Sequence, residues 1–256
     1  MYVANRQNGC VQIWLEGSTS PTRTIFSNSS DSFYLVLSKL GDIFISRGGS
    51  FNRVDVWQDS TGTYQSTLIV GGSCWALFID TNDSLYCSMD NSHKVIKRSL
   101  SSSDNQTSIV AGTGCIGYQP YALDDPSGIF VSINFDLYVA DTGNDRIQVF
   151  GIGQMVATTA AGREAAGTIE LRGPTGVILD GDGYLFITDC INRRIVRSGS
   201  AGFWCVIGCT DQGGSESNRL NRPQIMAFDR YGNIFVADTK NHRVLKFILS
   251  FNSCSK

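Results

Sequence analysis

Three short phrases carry an acid, an amide and a guanidinium at fixed intervals: "LYVADTGNDRIQVF" from Leu137, "LFITDCINRRIVRS" from Leu185 and "IFVADTKNHRVLKF" from Ile234. They pair Asp141 with Arg146, Asp189 with Arg194 and Asp238 with Arg243. A carboxylate beside a guanidinium could orient a substrate or move a proton. A catalytic centre needs one copy, however, and this chain has three, so the recurrence points first to architecture.

Other residues with chemical potential follow the same periodicity. His93 and His242 fall inside copies of the phrase, as turn residues. Asp80, Asp180 and Asp229 stand five residues before it in three repeats, with Ser38 and Ser132 at matching places. Carboxylates repeated in this way could gather around a Ca²⁺ ion. An Asp at the edge of a hairpin turn more commonly bonds the turn's own backbone, and that is the expectation here. Among the serines, none lies in a Gly-x-Ser-x-Gly elbow that would mark a nucleophile. The glycine-rich stretches "GTGCIGYQ" and "GCTDQGGSES" lead from strand to strand and not into a helix, so the basis for a phosphate loop is missing.

The elements that must hold these residues are legible from spacing. Weaker copies of the phrase begin at Met1, Ile43 and Leu85, giving six units that start near 1, 43, 85, 137, 185 and 234. Strand-rich repeats of 40 to 50 residues are the mark of a propeller whose blades are the repeats. Within a unit the apolar residues alternate with period two on either side of a tight turn, which gives two hairpin-linked strands. Pro126, Pro174 and Pro223 each open an apolar run eleven residues before the last three phrases. Proline is tolerated at the first residue of a strand, so each run is expected to be the innermost strand. The segments "SIVAG", "TTAAG" and "CVIGC" supply an outer fourth strand. In this frame each Asp ends the second strand and its Arg begins the third, so the pair clasps the turn. Asn144, Asn192 and Asn241 are expected at the turn position with positive φ.

At these residues the chain resembles the NHL-repeat family, strongly in the last three units and less in the first three. There Asn5 replaces the acid, Cys10 or Lys94 replaces the Arg, and the turn before Arg53 is one residue longer. The resemblance implies an all-β fold, a six-bladed propeller of four-stranded antiparallel blades, forming one domain over residues 1–256. It also extends to amidating lyases that share this propeller and bind zinc through several histidines. Two histidines in turns of different blades cannot supply that set, so no cofactor is expected.

The first unit begins at its second strand, so either blade one is short of its inner strand or upstream residues complete it, and the last blade is expected to be tied to the first. Cys254 lies in the outer strand of the last unit and Cys10 at the third strand of the first, which suggests a Cys10–Cys254 bridge. Cys205 is expected to pair with Cys209, with Cys190 as rival partner. None of the eight cysteines forms a C-x-x-C pair, so disulfides and a secreted or extracellular location are favoured over zinc. Sequons at Asn28, Asn82 and Asn105 are compatible with that, at a number close to chance.

Net charge is −2 and the 21 basic residues are scattered, which argues against a nucleic-acid footprint. No apolar run is long enough to insert in a membrane as a helix. The most varied segments are the blade-to-blade connections, which carry Tyr118, Tyr121, Arg163, Arg172, Arg219 and Arg222. Tyr and Arg are favoured at binding hot spots, so these six are the candidate ligand-binding residues. Leu123, Leu171 and Leu220, each three residues before a Pro, are expected to anchor the same loops. The expected function is a non-enzymatic interaction or scaffold module that binds protein, peptide or glycan on the loop-rich face, or assembles with itself. The alternative is a Ca²⁺-dependent hydrolase or lyase.

Overall fold

The structure is a computed structural model of the 256-residue chain and describes residues 1–26, 32–47, 52–101, 106–165, 167–210 and 212–248. It divides into two compact units, Met1–Pro126 and Ser127–Lys256, with three antiparallel sheets assigned to each.

In the first unit, blade one holds β1 (Tyr2–Asn5), β2 (Cys10–Ile13) and β3 (Arg23–Phe26). Blade two holds β4 (Ser32–Leu37), β5 (Ile43–Arg47), β6 (Arg53–Gln58) and β7 (Thr63–Ile69). Blade three holds β8 (Ala76–Ile79), β9 (Ser84–Met89), β10 (Lys94–Ser99) and β11 (Ser108–Gly112). In the second unit, blade four holds β12 (Pro126–Val131), β13 (Leu137–Asp141), β14 (Arg146–Phe150) and β15 (Thr158–Gly162). Blade five holds β16 (Pro174–Leu179), β17 (Leu185–Asp189), β18 (Arg194–Gly199) and β19 (Gly202–Ile207). Blade six holds β20 (Pro223–Phe228), β21 (Ile234–Asp238) and β22 (Arg243–Phe247). Each sheet runs in sequence order as a meander, and the first and last have three strands among the described residues.

Within each unit the core lies between successive blades. Strand faces rich in β-branched and aromatic residues meet there, as with Val54, Leu77 and Ile96 in the first unit and Ile147, Val177 and Ile187 in the second. Such residues suit a pleated surface packed on both faces.

The register places Asp141 opposite Arg146, Asp189 opposite Arg194 and Asp238 opposite Arg243. Each Arg donates Nε–H to Oδ2 of its Asp at 2.7, 2.8 and 2.8 Å respectively. The same Oδ2 accepts the side-chain amide of Asn144, Asn192 or Asn241 at 2.8–2.9 Å. These asparagines are not the positive-φ residues expected of them. That conformation belongs to the next residue, Asp145 (56°), Arg193 (57°) or His242 (51°). The one-residue displacement has a physical cause, because the Asn must stay in the body of the short turn, which is 3₁₀ at Asn144 and Asn241, for its amide to reach the carboxylate.

The clasp also captures the incoming connection. Oδ1 of Asp189 accepts the Arg172 N–H at 2.7 Å, and Oδ1 of Asp238 accepts the Asn221 N–H at 2.6 Å. Arg194 Nη2 donates to Glu170 O, and Arg243 Nη2 to Glu216 O and Arg219 O. Leu123, Leu171 and Leu220 are buried beside Gly112, Gly162 and Gly208, which have positive φ and end β11, end β15 and directly follow β19 respectively. A Cβ on those glycines would lie 2.3–2.4 Å from the carbonyl oxygen of His93, Asp145 or Arg193, so only glycine fits.

Asp238 is fully buried, and removing it strands a guanidinium, an amide and a backbone N–H. Asp238→Ala should therefore destabilise the fold by about 3 kcal/mol, lowering the melting temperature by roughly 6–12 °C. Urea and thermal unfolding measure this, and a loss under about 0.5 kcal/mol would show that the clasp contributes nothing beyond a surface pair.

Candidate interaction face

Connections enter the inner strands at the end of each blade that also carries the clasp turn, as the pairing of Pro174 with Asp189 and of Pro223 with Asp238 shows. At this end the motif's polar atoms are consumed: Asp141, Asp189 and Asp238 are 0% exposed and Arg146 is 1% exposed. Solvent-facing chemistry is left to the connections.

In the first unit Tyr118 is 66% exposed and Tyr121 48%. Ile116, exposed to the same degree as Tyr118, and the exposed thiol of Cys115 stand beside them, and sequence reasoning had singled out neither. Leu123 fixes this loop from below: it bridges to Ile116 and its carbonyl accepts the Gly117 N–H. In the second unit Arg163, Arg172 and Arg222 are exposed. Arg219 is half-buried, pairs with Glu216 at 3.3 Å and lends its carbonyl to Arg243. It is thus tied into the clasp, whereas the other three arginines point outward.

His93 lies in the clasp turn of blade three at φ 43°. Its Nδ1 accepts the Asp125 N–H at 3.2 Å and lies 3.6 Å from Asp124 Oδ1 and 3.8 Å from Asp125 Oδ1. Among the described residues this is the one group of three side chains close enough to share a metal ion. The ring nitrogen that faces the carboxylates already holds a backbone hydrogen. Burial, then the charge of Asp125, raises the Asp124 carboxyl above its usual value, against a lowering by His93. His242 occupies the matching turn of blade six.

The opposite end of the blades holds the repeated acids. Oδ1 of Asp80 accepts the N–H groups of Asn82 and Ser84, Oδ1 of Asp180 those of Asp182 and Tyr184, and Oδ1 of Asp229 those of Tyr231 and Asn233. Ser38 and Ser132 hold the equivalent turns with their hydroxyls. The second oxygen of each acid faces a base on the third strand: Lys97 at 3.5 Å, Arg197 at 3.1 Å and Lys246 at 3.5 Å. Each base also lies over the aromatic second residue of the phrase, Tyr86, Phe186 or Phe235. Acid and base are seventeen residues apart every time. Where Ser replaces the acid, Val56 and Val149 replace the base opposite Phe44 and Tyr138. The repeated carboxylates are the turn-holding halves of a second clasp. Desolvation raises the Asp229 carboxyl, but hydrogen bonds from Asn233 and Tyr231 and the charge of Lys246 outweigh it and hold the group below its ordinary value.

Cysteines complete the inventory. Cys205 is bonded to Cys209 with Cα atoms 5.7 Å apart, and Cys74 to Cys87 with Cα atoms 5.3 Å apart. The second bridge was not anticipated, although Cys74 stands eleven residues before Leu85, where later units have proline. Cys190 is a buried thiol, pushed up by burial against the opposing pull of Arg222 and Thr175. Cys10 is buried at the start of β2, and its expected partner Cys254 lies outside the described residues. Of the sequons, Asn82 is exposed in the β8–β9 turn, while Asn28 and Asn105 lie outside the described residues.

The NHL repeat family model matches residues 220–247, which carry the clasp of blade six. No curated protein sequence matches the chain. Among solved structures it is similar to a protein of unknown function from Bacteroides thetaiotaomicron, with 14% identity, a TM-score of 0.72, and coverage of 95% of this chain and 67% of that one. An auxiliary nutrient binding protein from the same organism gives 15%, 0.66, 93% and 65% in the same measures. Virginiamycin B lyase from Staphylococcus aureus gives 12%, 0.54, 86% and 85%. At these identities the likeness concerns the fold.

A double-mutant cycle tests the second clasp. Asp180→Ser and Arg197→Val together reproduce the residue pair of blade four, so the double variant should be more stable than the two single losses sum to, by about 0.5–1 kcal/mol. Strict additivity in urea melts would mean that the pair does not interact. In an NMR titration, Asp229 should ionise below the ordinary range of an aspartate, and Lys246→Ala should move it upward. Its stabilising contribution is present above the unfolded value and lost as pH falls through the folded one.

Proposed function

Because the chain is an NHL-repeat six-bladed β-propeller, we propose that it works as a non-enzymatic interaction module, binding protein, peptide or glycan through its blade-to-blade connections. One observation carries the reading. The acids and bases of the repeated motifs are paired with one another and with backbone groups, while the connection at 113–123 turns Tyr118, Tyr121 and Ile116 toward solvent. An aromatic side chain held on a rigid loop gives contact area at small entropic cost, which suits recognition. Arg163, Arg172 and Arg222 offer guanidinium forks for carboxylates of a ligand in the same way.

Two disulfides support export to an oxidising compartment, where such a module would meet its partner. The rival, a Ca²⁺-dependent hydrolase or lyase, is weakened because each oxygen that Asp80, Asp180 and Asp229 would offer a cation already faces a donor. The solved lyase and nutrient-binding structures share the architecture and lend this chain no activity.

Peptide and glycan arrays probed with the purified chain should give discrete positives. Tyr118→Ser combined with Tyr121→Ser should weaken them at least about tenfold with the melting temperature unchanged. Undiminished binding by that variant, or turnover of an arrayed ligand, would refute the reading.

A further inference from the structure

Blade four departs from its neighbours at the end opposite the clasp. Ser132 stands in the place of the turn-holding acid and Val149 in the place of its base, so the second clasp has lost both charges there. The tips have changed with it. Ile133, in the β12–β13 turn, is 83% exposed, and the β14–β15 turn exposes Ile152 (70%), Val156 (61%) and Met155. Leu137 lies opposite Phe150, and a Cβ on Gly151 would lie 3.9 Å from a carboxylate oxygen of Asp136, so the two turns stand side by side.

Blade two, in the first unit, repeats the coupling: Ser38 and Val56 replace acid and base, and Leu40 tops the turn almost fully exposed. Blades three, five and six keep the charges, and their matching turns expose Thr81 and Asn82, Gly181 and Asp182, and Arg230 and Tyr231, with no aliphatic residue larger than glycine. Loss of the charge pair thus goes with an aliphatic tip in both units.

Three features say what covers the tips of blade four. The β12–β13 turn is closed without a charge: Phe135 N–H donates to Ser132 O at 3.0 Å, Ser132 N–H to Asp136 O at 2.9 Å, and the Asn134 and Asp136 N–H groups to the Ser132 hydroxyl at 3.2 and 3.1 Å. Backbone that enters a water-poor medium needs such internal partners. Charge is also scarce. Between residues 126 and 162 the charged side chains are Asp136, Asp141, Asp145 and Arg146, and the last three belong to the clasp turn at the other end. With no base at this end, anionic headgroups gain nothing from it. Area decides against a second copy of the chain. At roughly 100 Å² apiece the four exposed side chains offer about 400 Å², half of the about 800 Å² that a specific interface takes from each partner. A bilayer asks for no matching shape, and each side chain that enters it contributes through its own buried area.

We propose that the exposed tips of blade four are a shallow membrane-docking site for an uncharged, zwitterionic lipid surface. Ile133, Ile152, Met155 and Val156 enter the boundary between headgroups and acyl chains, while Asp136 stays at headgroup level. The site lies at the opposite end of the blade from the connection loops and acts independently of them.

The test is flotation of the intact chain with phosphatidylcholine vesicles at about 1 mM lipid, a concentration at which anchors of this size register. A measurable bound fraction is expected, and phosphatidylserine in the vesicles should not increase it. Ile133→Ser combined with Ile152→Ser should reduce the partition at least about tenfold with the melting temperature unchanged, because both side chains are exposed in the free protein. Tyr118→Ser with Tyr121→Ser should leave it as it was. Absence of flotation, undiminished flotation of the Ile133/Ile152 variant, or binding that requires anionic lipid would each overturn the proposal. So would a dimer in sedimentation velocity that the same two substitutions dissolve, since the occupant would then be a second copy.

Discussion

A buried carboxylate at the end of the second strand is the constraint from which the rest of blades four, five and six follows. Asp189 and Asp238 each receive a guanidinium, a side-chain amide and a backbone N–H from the incoming connection. A fully desolvated charge is tolerable only with such a set of donors. Satisfying it fixes the turn, the path of the connection, the leucine that follows and the point where the inner strand begins. The outer-strand glycine is forced by the same geometry, because the positive-φ turn residue brings its carbonyl against that strand.

Departures from the pattern show that charge compensation matters more than residue identity. In blade two, Arg47 occupies the place of the acid and Asp55 on the third strand answers it at 2.6 Å, with Arg53 3.1 Å from the other oxygen. The residue opposite Arg47 is Arg53, so one acid two residues further along the third strand answers both bases. In blade three Met89 takes the place and no charge is buried there, while the Cys74–Cys87 bridge ties the segment opening β8 to β9. Covalent and ionic ties thus serve the same junction in different blades. At the other end of the blades, acid and base are present together or absent together, which is the pattern of a direct interaction.

Much of this was legible in the sequence because period-two alternation assigns a side to every residue. The recurring phrase located the hairpins, and five-residue spacing across a tight turn brought Asp and Arg opposite each other. The less visible features were those that need a third element. Asn144 was read as a backbone accommodation when its amide is the functional part, which moved the positive φ to Asp145. Asp180 was singled out as a turn residue, but its pairing with Arg197 escaped notice because a whole strand intervenes before β18 brings them together. Cys74 and Cys87 are joined through strand pairing that only the register reveals. On the interaction face, Tyr118 and Tyr121 could be named from residue type, but the exposure of Ile116 depends on how Leu123 seats the loop.

Hydrogen exchange at two backbone amides tests the central claim most directly. Arg172 N–H and Asn221 N–H lie in connections rather than strands, and their acceptors are the buried oxygens of Asp189 and Asp238. If the carboxylate organises the blade, both amides exchange as slowly as those of β17 and β21, and each is released selectively when its own Asp is replaced by Ala. Exchange at the rate of an exposed loop in the unmodified protein would contradict the account.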